Sequence, residues 1–132
     1  MPEERISVRK ALAALGTLYY GFPLDEEGSY ECGQVVAPID STLTGREREV
    51  ALLRQTNAVN RHIRRLVMPL FPNLMIVVGI DRDGLEHVVL ALTASTRGPI
   101  NKLIPPPEKL QQVKEILAAE GFRQESKWFS ER

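Results

Sequence analysis

Apolar residues along this chain recur at two spacings, and the spacings predict its elements. Two strand-sized runs, Leu74–Ile80 and Leu85–Ala94, flank a turn built from Asp81, Arg82, Asp83 and Gly84. Asp at the first turn position and Gly at the fourth suit a type I turn closed by a left-handed glycine, which predicts a β-hairpin. With a glycine bulge Asp81 opposes Leu85, so Gly79 opposes His87 and Val77 opposes Val89. One face then carries Leu74, Ile76, Val78 and Ile80 beside Val88, Leu90 and Leu92, an aliphatic surface expected in the core. The other carries Met75, Val77 and Gly79 beside His87, Val89, Ala91 and Thr93. It lacks the charges of a solvated face, so another part of the chain, a second subunit or a ligand must cover it.

Helical spacing appears elsewhere. Val8, Leu12, Leu15 and Tyr19 behind Ser7 predict a helix from Ser7 to about Tyr20, ended by Gly21, Phe22 and Pro23. Asp25 to Gly28 reads as an acidic turn, and Tyr30 to Ile39 as a strand weakened by Gly33 and Pro38. Thr44 and Glu47 match a capping box that opens a long helix to about Met68. Its buried stripe is read as Leu52, Val59, Ile63 and Leu66, with Leu53 and Val67 at the margin; Pro69 and Pro72 stop it. Ser95 to Ile104 reads as a loop. Pro107 and Glu108 open a further helix with Leu110, Val113, Ile116 and Leu117 on its apolar face, and Gly121 ends it. Phe122 to Phe129 reads as a last strand.

After the first helix the order is β, α, β, β, α, β. That is the split βαββαβ, or ferredoxin-like, arrangement of an α+β fold, here with an additional N-terminal helix. One tension is built into it. The hairpin's first strand would lie at a sheet edge, yet it is as apolar as a central strand.

Composition narrows the picture. A length of 132 residues suits one domain with a core of its own, and a single cysteine, Cys32, excludes an internal disulfide and fits a reducing compartment. Seventeen basic and 17 acidic residues leave no global field to attract nucleic acid or an acidic membrane. The apolar run from Ala11 to Leu24 is interrupted by Gly16, Thr17, Tyr19 and Tyr20, and Glu3 and Glu4 spoil a basic leader. Leu66 to Ile80 is broken by two prolines and is too short to span a bilayer. A soluble, cytoplasmic protein is expected.

Candidate chemistry is sparse. His87, opposite a glycine on the softer sheet face, is the candidate acid or base, set against a plain structural strand histidine. Tyr19, Tyr20, Tyr30 and Trp128 are candidates to line a pocket with it, and the polar loop with Arg97 and Asn101 to close over it. Arg54, Arg61, Arg64 and Arg65 make one side of the long helix a candidate anion site; six arginines against two glutamates between Gly45 and Pro69 give it a local charge of +4. Nucleic acid is disfavoured, because that helix has no interleaved aromatics and the third strand lacks the paired aromatics of an RNA-recognition sheet. No spacing joins Cys32 to His62 or His87 as a thiolate pair. Asp81, Asp83 and Glu86 lack the remaining ligands of a calcium loop, and two histidines with one cysteine argue against a soft-ligand zinc site. No phosphate loop, nucleophile elbow or metalloprotease helix is present, and no cofactor is expected.

Three readings compete. The leading one is a non-catalytic interaction module that dimerises with itself through its sheet. The second is a small cofactor-free enzyme or ligand binder around His87. The third is an anion binder acting through the arginine face.

Overall fold

The computed structural model describes residues 16–97 and 104–132. Within them the chain forms β1 (Leu18–Pro23), α1 (Glu26–Val36), α2 (Gly45–Val67), β2 (Met75–Ile80), β3 (Glu86–Ala94), a 3₁₀ turn (Ser95–Arg97), α3 (Pro107–Ala119) and β4 (Lys127–Glu131).

The hairpin forms with the register its turn chemistry dictates, Gly79 facing His87 and Val77 facing Val89. Asp81 N–H donates to Leu85 O at 3.0 Å, and Gly84 adopts φ +81° at the bulge. The four strands do not make the open ferredoxin-like sheet that the element order suggested. They close into an antiparallel barrel in the order β1-β3-β2-β4, with β4 bonded to β1 on one side and to β2 on the other. The physical reason lies in the apolar β2: where an open sheet would leave it at an edge, Gly79 and Ile80 pair with Glu131 and Ser130.

Closure also covers the softer hairpin face. Val89, Ala91 and Thr93 are buried there, and Phe129 of β4, 1% exposed, packs on this face against Gly79 and His87. Four strands enclose far less volume than the eight that leave room for layers of side chains. The inner positions are correspondingly small, and a Cβ on Gly79 would sit 2.7 Å from Phe129 Cβ. A second subunit is therefore not needed over this face, which removes the main physical premise for a dimer through the sheet.

The outer barrel face meets all three helices. Phe22, Leu90 and Leu92 pack with Cys32 of α1, Val59, Ile63 and Val67 of α2, and Val113 and Leu117 of α3. The aliphatic face of the hairpin is only half buried by them. Val78 and Val88, paired across the strands at the turn end, stay 38% and 36% exposed.

Two predicted elements are corrected. Residues 18–20 are strand, not the end of a helix, and the Ser7–Leu15 part of that helix lies outside the described residues. Tyr30 to Ile39 is no strand; Asp25 caps α1 by accepting from Gly28 N–H at 3.2 Å, with Glu26 and Glu27 at the positive end of the helix dipole. The acidic "turn" was thus a helix start. α2 matches its predicted span, but its buried line is Gln55, Val59, Ile63 and Val67, while Leu52 and Leu53 are exposed. Its first turns run past the core, and Thr44 makes no side-chain cap bond. β4 begins at Lys127 rather than Phe122, because Phe122 is spent in ending α3. Among the described residues no helix is long and apolar enough to cross a membrane.

Candidate metal centre

The three helices present one chemically unusual cluster where they meet. Cys32 projects from α1, His62 from α2, and Glu120 stands at the C-cap of α3. Each is placed by ordinary local physics. The inward face of α1 consists of Gly28, Cys32 and Gly33, so that helix approaches its neighbours closely. The side chain of Gln55 fills the space above Gly33, and its Nε2 donates to Ala37 O at 3.1 Å, tying the end of α1 to α2. Glu120 is fixed by a Schellman ending. Gly121 takes φ +107°, its N–H donates to Ala118 O, and Phe122 N–H donates to Leu117 O at 2.9 Å. Leu117 and Phe122 are both buried in the core, which anchors the turn that aims Glu120.

The donor atoms converge. Cys32 Sγ lies 3.7 Å from Glu120 Oε2, His62 Nε2 lies 3.1 Å from the same oxygen, and all three lie within 4.8 Å of one another. Cys32 is 2% exposed, whereas the side chains of His62 and Glu120 are 33% and 26% exposed, so the cluster opens to solvent on one side. Burial, and then the neighbouring Glu120 carboxylate, push the Cys32 thiol up to about 11. Glu120 also sits at the negative end of the α3 dipole, with no basic residue in the last turn to offset it. The cluster therefore gathers a carboxylate, a sulfur and an imidazole with no lysine or arginine ion-paired to any of them among the described residues.

Beside it, Arg123 donates from both terminal nitrogens to the two Glu31 oxygens at 3.1 and 3.2 Å, and Gln124 Nε2 donates to Asp25 at 3.1 Å. These exposed contacts add little energy, but they register the segment after α3 on α1. Each draws the Cys32 helix and the Glu120 turn together.

The arrangement fits metal ligation better than nucleophilic catalysis. In a cysteine–histidine catalytic pair the imidazole takes the thiol proton. Here one carboxylate oxygen accepts from both the thiol and the ring nitrogen, and the sulfur is sealed from solvent. A zinc ion held at about 2.0–2.3 Å from tetrahedral S, N and O donors sets those donors roughly 3.3–3.6 Å apart. The observed 3.7 and 3.1 Å bracket that range. A metal held by these three residues would take the place of the thiol proton, and coordination would replace the two hydrogen bonds.

The other predicted site residues lie apart from this cluster. His87 Nε2 bonds to Asp81 Oδ2 at 2.6 Å, and its ring meets Phe129 edge-on at 5.6 Å. Asp81 Oδ1 in turn accepts from the Asp83 and Leu85 N–H groups, so the pair knits the hairpin end. The His87 hydrogen bond foremost, with the Leu85 N–H, holds the Asp81 carboxyl below the usual carboxylate range. A carboxyl depressed in the folded state contributes stability that is present above its unfolded value, about 3.9, and lost as pH falls through the folded one. Unfolding midpoints followed below about pH 4 are expected to drop less steeply in Asp81→Asn than in the parent. Identical acid limbs in the two proteins would refute this role.

Tyr19 is half-buried on β1, and Tyr20 stacks edge-on with Trp128 at 5.1 Å and shares a hydrogen bond with Ser126. Trp128 lines a depression of about 450 Å³ with Asp81, Arg82, Asp83 and Lys127. Tyr30 lies on α1 and lines a different one with Gln34, Ile39 and Leu52. Arg97 ends the 3₁₀ turn, and Asn101 lies outside the described residues. Arg54, Arg61, Arg64 and Arg65 are all exposed on α2 without a salt bridge among the described residues, and Arg54 borders an apolar groove of about 590 Å³ with Pro38, Ile39, Leu43 and Val50.

Sequence reasoning weighed Cys32 with His62 but missed Glu120. The available signal was an acidic residue placed just before a helix-ending glycine, against the helix dipole. No known family, curated protein or solved structure matches this chain.

Proposed function

We propose that this protein binds a single transition-metal ion of the zinc type through Cys32, His62 and Glu120. The observation that carries the reading is the convergence of thiol, imidazole and carboxylate, from three helical segments, to within 4.8 Å of one another. Sulfur and nitrogen donors select a borderline ion such as zinc or cobalt over magnesium or calcium, which want oxygen alone. With three protein ligands the centre has the ligand count of zinc sites that keep one position open, rather than of closed four-ligand structural sites.

Titration with zinc against a chromophoric chelator tests the reading. One equivalent is expected to bind. Cys32→Ser, His62→Ala and Glu120→Gln should each weaken binding by more than the roughly 10–100-fold that losing an outer-sphere partner costs. Binding that none of the three substitutions alters would overturn it.

A further inference from the structure

We infer that the fourth coordination position of this centre takes an anionic ligand from solution, and that Arg65 selects for its charge. This rests on the metal reading above and goes on to the chemical class of what the metal holds. Cys32 is sealed inside, so a metal at the cluster faces solvent on the side of His62 and Glu120, which are 33% and 26% exposed. Among the described residues no fourth histidine, cysteine or carboxylate joins the cluster, which leaves that side to a water or an incoming donor.

Charge around the opening then decides the class of donor. A thiolate and a carboxylate neutralise a divalent ion, so the centre itself carries no net charge. Its negative neighbour Glu31 is already bound at both oxygens by Arg123. Arg65 lies three residues on from His62 along α2, the spacing that puts two side chains side by side on a helix surface. It is exposed and forms no salt bridge among the described residues, and Arg61 lies on the next face. Arg65 is thus a neighbour of His62 on the α2 surface, and the positive charge of that side of the helix favours a carboxylate, phosphate or other small anion over a neutral donor at the opening.

Cobalt substitution of the full chain tests this with azide as the anionic probe and imidazole as the neutral one. Cobalt should give a thiolate charge-transfer band that Cys32→Ser abolishes. Azide should then perturb the visible cobalt bands at lower concentration than imidazole does. Arg65→Glu should weaken azide by about three- to tenfold at low salt, with imidazole unchanged. Should Arg65→Glu fold poorly, Arg65→Gln carries the same test with a smaller expected change. No charge-transfer band means there is no metal site, and the reading beneath the inference fails. A band that neither probe perturbs means the position is closed, and the inference alone fails. Equal response to both probes, or azide binding indifferent to Arg65, overturns the anion selectivity.

Discussion

Phe129→Ala is expected to lower the free energy of unfolding by roughly 3–5 kcal/mol, the range for deleting a fully buried aromatic side chain. Domains of this kind are stable by only about 5–15 kcal/mol in total, so the loss is a large fraction of the whole. Phe129 is the filling of the barrel. It lies on β4 against the cross-strand pair Gly79 and His87, in the space that the missing Cβ of Gly79 leaves open. A collapse that refilled the space would have to draw β4 inward, yet β4 is pinned to β1 over four residue pairs and to β2 over two. The cavity should therefore persist. Urea unfolding of the variant, compared with Tyr30→Ala at a position 63% exposed, measures the difference. The control should move by about half a kcal/mol. A loss for Phe129→Ala below about 1 kcal/mol would show that the barrel is not packed around this ring.

The second large effect is on thermal stability. A ligand that binds only the folded chain stabilises it by about 2.7 kcal/mol at a hundred times its dissociation constant. For a domain of this size that corresponds to a rise in melting temperature on the order of 10 °C. Zinc is expected to produce such a rise, because its ligands sit on three helices that come apart on unfolding. Cys32→Ala should abolish the rise and keep the metal-free melting temperature within a few degrees, since alanine also suits the tight face of α1. Calorimetry with and without zinc separates the two cases. A rise that survives in Cys32→Ala would place the stabilising ion elsewhere.

What the sequence made legible follows from how each element is stabilised. The hairpin register came out correctly because Asp81 and Gly84 set it locally, through bonds that span four residues. α3 was legible for a similar reason: its apolar residues recur at helical spacing and its ending is written in Gly121. α1 was not. Two of its three buried residues are glycines, so the face that packs against α2 and Phe122 contributes almost nothing to a hydrophobic count. Phe22 and its neighbours read as a helix ending because Gly21 and Pro23 are helix breakers, whereas here they belong to a strand that closes a barrel. With residues 30–39 taken as a strand, nothing in the spacing joins Cys32 to His62 on the long helix. Glu120 was out of reach altogether, since its partners are 88 and 58 residues away and only the packed helices bring them together.

The closing seam of the barrel has a consequence for how the chain acquires its structure. β1 precedes every other strand in the chain, yet its strand partners are β3 and β4, and the pairing of Leu18 with Ser130 joins residues about 110 positions apart. Contacts of such long range are formed only after a large loop has been closed, and they slow folding relative to local ones. The helices and the hairpin, each built from near neighbours, are able to form first. Phe129, which fills the barrel, arrives on β4, the latest of the four strands in chain order. Until then Val89, Ala91 and the bare inner edge of β2 face solvent, as a surface that holds other strands as readily as its own. Truncation before Lys127 should therefore yield a chain that keeps much of its helix content but refolds to aggregates rather than to a soluble domain.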